Sequence, residues 1–508
     1  MKKFSSIWRA MTGAERVVLI AASVALFSTL VFAAVGLLKR PDDISNPDAA
    51  FDANRGPGKT SKTGLARADR VEWTRYGYDA GRSKFLDAQS VRPPFRKVWK
   101  YSGDELIEFP PIVVDDRVFF IDNDGLYVAL NATTGRVVWK KRLATLNASS
   151  PAYDNGVLYS VSLEPGQALA VRASDGKVLW RKRLENRAES SPMVVRGRLY
   201  FGDEGGQLYA LRTKDGSTIW QTGLGGSVKA APALDGGTLF VGDYGGDMNA
   251  VRSSDGKVEW QTADLGVGLG RHGRIYSTAA VAFGRVYAGD VDGRVYSYDE
   301  DNGDIAWTFS VGGYVYSGVA AADTGSTRPA VYFGSHDHYA YAVDAQSGEQ
   351  IWKASAGGQV SGPATVIGDI VYMSTFSGNA TVGLDLGTGR RVFAYDDGEY
   401  GPVVSDGHTV YLTGGSTVTA FDPVDLGGYD YRTKRGQKGI VPPAERRRAE
   451  AAMRDGANPN AGGKPGGHVP NAGAERRRER TKRGGAAKPR TGGAKKVRRR
   501  GRSKPGGG

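Results

Sequence analysis

The stretch ALRTKDGSTIW, residues 210–220, is an apolar strand, a polar turn closed by Gly216, and a second strand ending on an aromatic residue. The phrase recurs as ALNATTGRVVW at 129–139, AVRASDGKVLW at 170–180 and AVRSSDGKVEW at 250–260, then drifts to SYDEDNGDIAW at 297–307, AVDAQSGEQIW at 342–352 and GLDLGTGRRVF at 383–393. A glycine at the turn can take the positive φ that a tight hairpin demands. With Trp99 ahead of them, the aromatics form one ladder: Trp99, Trp139, Trp180, Trp220, Trp260, Trp307, Trp352 and Phe393, spaced by 40, 41, 40, 40, 47, 45 and 41 residues. A period of this length means one supersecondary unit repeated, so most of the 508 residues belong to one array.

Upstream of each phrase the pattern is equally regular. SSPMVV at 190–195, a turn at Arg196-Gly197 and RLYFGD at 198–203 stand for all the copies. Each repeat therefore holds four short strands, with β-branched or alternating apolar residues and no helical period. Four-stranded units of this size read as the blades of a β-propeller. The last unit, 401–423, has three strands and no aromatic fourth, whereas the Trp99 strand stands alone before the first unit. Pairing the two completes an eighth blade and removes the free edges. The expectation is an all-β, eight-bladed propeller over residues 71–431, with the aromatic ladder docking blade to blade.

The eleven-residue phrase resembles the tryptophan-docking motif of the quinoprotein-type propellers, the family with pyrroloquinoline quinone (PQQ)-like repeats. The resemblance covers about residues 71–423. It implies a ring whose aromatics pack on the peptide planes of the neighbouring blade. The family holds quinone-dependent alcohol dehydrogenases and non-enzymatic scaffolds, including the outer-membrane assembly lipoprotein B, so fold alone does not choose a function.

The chain has no cysteine. That excludes disulfides, thiolate metal sites, c-type haem attachment, cysteine nucleophiles and a lipidated N-terminal cysteine. In this the chain departs from both kinds of relative. Residues 17–38 (VVLIAASVALFSTLVFAAVGLL) carry no charge and are long enough to cross a bilayer as a helix. They read as an uncleaved signal-anchor, with residues 1–16 cytoplasmic, 39–70 a flexible linker, and the propeller outside the cytoplasm; cleavage near Phe32–Ala34 is the alternative. From Arg432 to Gly508 there are 24 Lys and Arg against 5 Asp and Glu, while the whole chain carries +14, so the remainder is net acidic. This tail, 432–508, has no aromatic residue and reads as disordered. It would bind polyanions by counterion release: anionic lipids or cell-wall polymers outside the cytoplasm, nucleic acid only if the tail were inside.

In a four-stranded blade, the linkers into the inner strand and the turns between second and third strands share the face around the channel mouth. Candidate ligand segments are therefore Glu108–Phe109, Glu189–Ser191, Lys229, Tyr276–Thr278, Tyr314–Ser317 and Glu399–Tyr400. The longest interval places its extra residues at 266–274, GVGLGRHGR, on that face. Arg271, His272 and Arg274, followed by Tyr276, would suit an anionic or carbonyl-bearing ligand, PQQ included. His336 and His338 flank Asp337 at a spacing that could hold a divalent metal were the turn extended. The acidic turns at 122–125, 290–293 and 299–303 lack the spacing of a twelve-residue calcium loop. No calcium-and-base set of a quinone dehydrogenase aligns, and no hydrolase or phosphate-loop signature appears. No catalytic residue and no metal ligand is assigned. The expectation is a monomeric, single-pass membrane protein whose propeller binds envelope or secreted proteins without catalysis, the rival being an oxidoreductase or sensor binding a small ligand at the mouth.

Overall fold

The computed structural model describes Thr12 and residues 40–57, 71–266, 272–401 and 403–424. The segment 17–38, residues 58–70 and the tail 432–508 lie outside the described residues, as does Arg271. Among the described residues no helix is long and apolar enough to cross a membrane.

Eight sheets, each built on four antiparallel strands, form the eight blades of a propeller, and Phe85–Leu86 adds a short parallel strand to Thr365–Ile367 of the seventh. Blade 1 runs through Ile112–Val114, Arg117–Ile121, Leu126–Asn131 and Val137–Arg142, from inner to outer strand, and six more blades repeat this order along the chain. Blade 8 takes its three inner strands from Val404–Ser405, Val410–Thr413 and Thr417–Pro423, and its outer strand from Phe95–Ser102. In that closure Trp99 pairs with Ala420 and Lys100 with Thr419, antiparallel. The register slips by one residue beside each ladder aromatic, as between Ala210 and Leu211 opposite Trp220, and such bulges re-aim a side chain. The inner strands of blades 1, 5, 6 and 7 are buried throughout, which is why they read as short apolar runs such as Ile112-Val113-Val114 and Ala320-Ala321-Ala322.

Each of the seven ladder indoles donates to a docking-turn carbonyl of the next blade. Trp99 reaches Ala132 O at 2.8 Å, Trp180 reaches Thr213 O at 2.8 Å and Trp352 reaches Leu386 O at 2.7 Å, and the other four tryptophans do likewise. The turn glycine lies flat on the ring: a Cβ on Gly216 would stand 2.7 Å from Trp180, and its φ is +72°. Phe393 instead meets Phe95 and Phe421 edge-on, at 5.5 and 6.1 Å.

Two segments before the first blade depart from a simple ring. Residues 40–57, expected to be a flexible spacer, lie along the outer edge of blade 5. Asn46 N donates to Ala306 O at 2.8 Å, Thr308 N to Ile44 O at 3.0 Å, and Ser45 bridges Trp307, so this strap adds a short pairing to the outer strand Ile305–Ser310. The cause is the strand's composition. It reads IAWTFS and is largely buried, where blade 1 has the solvated VVWKKR. Two buried arginines of blade 5 lock the strap: Arg285 donates to Ala49 O at 2.8 Å and to Ala50 O, and Arg294 lies 3.4 Å from Asp43.

Residues 71–86 thread the channel as a plug. Backbone bonds tie Val71 to blade 8, Trp73 to blade 1, Thr74 to blade 2, Ala80 to blade 4, Gly81 to blade 5, Ser83 to blade 6 and Lys84 to blade 7. Blade 3 is reached by Arg82, whose guanidinium donates to Ser191 O at 3.1 Å and Pro192 O at 3.2 Å, to Pro232 O of the blade 4 entry at 3.0 Å, and to Tyr76 O. Arg82 and Lys84 are both fully buried and adopt left-handed φ values of +55° and +56°. Lys84 spends its ammonium on the carbonyls of Arg82, Thr278 and Val319, and burial pushes its pKa down to about 7.

Candidate functional site

The mouth face is built from turns whose acidic residues cap the backbone. Asp203 Oδ1 accepts from the amides of Gly205 and Gln207, both at 2.9 Å, while Oδ2 accepts from Tyr209 OH at 2.9 Å. Asp122, Asp243 and Asp290 serve the same position in their blades, and Asp299 caps a docking turn. These carboxylates are consumed by their own turns. His336 and His338 do not converge either: His336 Nε2 lies 3.0 Å from Ser361 Oγ, Asp337 is engaged by Tyr341 OH and Gly312 N, and His338 has φ +75°, so the turn is not extended. Among the described residues no three ligand-type side chains gather as a metal would require.

Inside the mouth, the linker segments converge on a small cavity of about 50 Å³. Glu108, Phe109, Ser191, Lys229, Tyr276, Thr278, Tyr316, Ser317 and Tyr400 line it, and Tyr76 of the plug floors it. Tyr276 stacks on Tyr316 with ring centres 4.2 Å apart, and Tyr244 stands beside Tyr276 at 6.0 Å. Lys229 holds Glu189 and Glu204, each at 2.7 Å, and is itself buried. Burial disfavours its charge, but the two carboxylates outweigh that and hold its pKa above the ordinary lysine value. Burial also raises Glu108 to about 7, with repulsion from Glu189 and Glu399 added and the Asn123 amide opposing. Ser317 Oγ is buried at the wall without a hydrogen-bond partner among the described residues.

Of the residues singled out in the 266–274 loop and after it, Tyr276 lines the cavity. Arg274 lies against the ring of Tyr244, 5.4 Å from its centre, where Lys229 also sits at 5.4 Å. His272 is half exposed and pairs with Asp264 at 2.5 Å, whose hydrogen bond raises the imidazole pKa. Arg271 lies outside the described residues. Sequence reasoning missed Tyr76, which belongs to no repeat; its signal was the run WTRYGY at 73–78, too aromatic for a tether.

A family profile described as outer membrane protein assembly factor BamB, of the PQQ-like repeats, matches residues 96–152, 123–324 and 291–455. The chain belongs to this PQQ-like propeller family. Solved structures with the same fold include BamB from Moraxella catarrhalis, at 17% identity and a TM-score of 0.55, over 65% of this chain and 99% of that one. A europium-containing methanol dehydrogenase aligns at 13% identity and a TM-score of 0.59, over 69% of this chain and 98% of its own. The quinohemoprotein alcohol dehydrogenase from Comamonas testosteroni does so at 14% and 0.60, over 77% and 85%. No curated protein sequence matches the chain. At these identities the likeness is one of fold.

Pyrroloquinoline quinone is a planar tricarboxylate, and the described mouth residues do not fit it. Lys229 is the cation at the cavity wall, and Glu189 and Glu204 already neutralise it. The elevated pKa of Glu108 reflects burial beside other carboxylates, a setting that repels a further anion. The cavity of about 50 Å³ is also far below the roughly 300–1,000 Å³ of small-molecule sites.

Proposed function

We propose that this chain is a non-catalytic binding scaffold of the cell envelope. Residues 17–38 anchor it in the membrane, the propeller outside the cytoplasm presents its surface to envelope or secreted proteins, and the tail from Arg432 adds electrostatic binding to anionic lipids or polymers. The observation that carries this reading is the plug. Residues 71–86 fill the channel where a funnel-type active site would need depth, leaving a small, tyrosine-walled recess whose charges are internally paired. The family's BamB-type profile supports the same direction.

The test is a titration of the detergent-solubilised full chain with PQQ, with and without calcium, followed by melting temperature and absorbance. Neither should change. A saturable rise in melting temperature with a bound-quinone spectrum would replace the scaffold with the oxidoreductase or sensor reading.

A further inference from the structure

We propose that the strap, residues 40–57, holds the propeller with its mouth face toward the bilayer, and that the rim of blades 5 and 6 rests on the membrane interface. The inference depends on residues 17–38 spanning that membrane, as proposed above.

Leu38 and Arg40 are two residues apart, so at most roughly 7 Å of extended chain separates the end of the apolar segment from Arg40. Arg40 is already docked: its guanidinium donates to Asp292 O and, at 3.3 Å, to Val311 O. Asp292 lies in the turn between the second and third strands of blade 5, and Val311 follows its outer strand, so both carbonyls belong to the mouth rim. From that rim the strap descends past Ser310, Thr308 and Trp307 to Phe283, which stacks on Phe51 at 5.4 Å, and ends where Arg55 binds Asp235 and Glu300, each at 2.8 Å. Phe283 and Glu300 stand at the opposite face, among the docking turns. The membrane-proximal end of the strap is therefore its mouth end, and Arg285 and Arg294 leave it no slack.

The chemistry of that sector agrees. Tyr314 and Tyr339 are 39% and 38% exposed there, unusually open for large aromatics in this ring. Lys353 covers Tyr339, its ammonium 4.0 Å from the ring centre. Tyrosines with an apolar ring and a wet hydroxyl, and lysines that extend an apolar stem, are what a headgroup region accommodates. The nearby Asp337 carboxylate turns inward to Tyr341 and Gly312.

Because the chain has no cysteine, single-cysteine variants report one site each. Tyr314→Cys on the rim and Lys214→Cys in a docking turn would carry a fluorophore in the full chain, reconstituted into vesicles containing nitroxide-labelled lipid. Quenching should be severalfold stronger at 314 than at 214. A ten-residue Gly/Ser insert between Lys39 and Arg40, spanning roughly 17 Å, should abolish the difference. Release of the chain by carbonate would sink the membrane anchor and the orientation with it. Carbonate-resistant chain with equal quenching at both sites would overturn the orientation alone, and quenching at 314 that survives the insert would remove the strap as its cause.

Discussion

Glu108 enters the mouth on the linker to the first inner strand, and its carboxyl sits at about 7 because burial, then the neighbouring Glu189 and Glu399, disfavour its charge. An unfolded glutamate titrates at about 4.3. Between those two values the folded chain binds the proton that the unfolded chain has released, so the Glu108 contribution is fully present at the acid end and is lost as pH rises toward 7. Glu108→Gln imitates the protonated form. Its melting temperature should match the parent near pH 4.5 and exceed it at pH 8; parallel curves across that range would show that Glu108 does not titrate as argued. Asp290 and Glu300 also sit high through burial, so the difference between the two proteins is the informative quantity. The position of Glu108 at the mouth was readable from the repeat, but its protonation was not. Asn123, Glu189, Lys229 and Glu399 come from different blades, and sequence spacing says nothing of their separation.

At the scale of the strand and its docking turn, seven ladder positions carry an indole and the eighth does not. The reason is topological. A docking turn is the hairpin between third and fourth strands, and in blade 8 those strands come from opposite ends of the array, so no hairpin exists for residue 393 to bind. Val424 N meets Pro94 O where the turn would be. Trp352→Phe removes the bond to Leu386 O and should cost about 1–3 kcal/mol, whereas Phe393→Trp should also destabilise, since its N–H would be buried without an acceptor. Urea unfolding measures both, and stabilisation by Phe393→Trp would refute the account. The strap is a harder element to foresee. The apolar outer strand IAWTFS was visible as an exception among the solvated outer strands, but what covers it lies more than 250 residues away in sequence, as the Asp43–Thr308 contact illustrates.

The whole ring is closed twice, by the outer strand Phe95–Ser102 on blade 8 and by the plug that reaches every blade. The first closure is a pairing of edges; the second ties the inner strands together, with Arg82 joining Tyr76 to blades 3 and 4. Arg82→Met would leave several buried carbonyls unpaired and should cost about 3 kcal/mol or more. The exposed change Lys214→Met should stay within about 0.5 kcal/mol. Equal urea midpoints for these two variants would mean that the plug is an ornament of the ring rather than a tie. The sequence by itself determined the blade count, the closure and the docking ladder, because each follows from a fixed repeat that spacing records, down to the strand missing at one end and left over at the other. It also marked which linkers face the mouth. Only the tertiary structure decided that the channel is plugged, that Lys229 is neutralised and that residues 40–57 are pinned to blade 5. Those facts rest on side chains meeting carbonyls and carboxylates from distant blades, and such contacts carry no period.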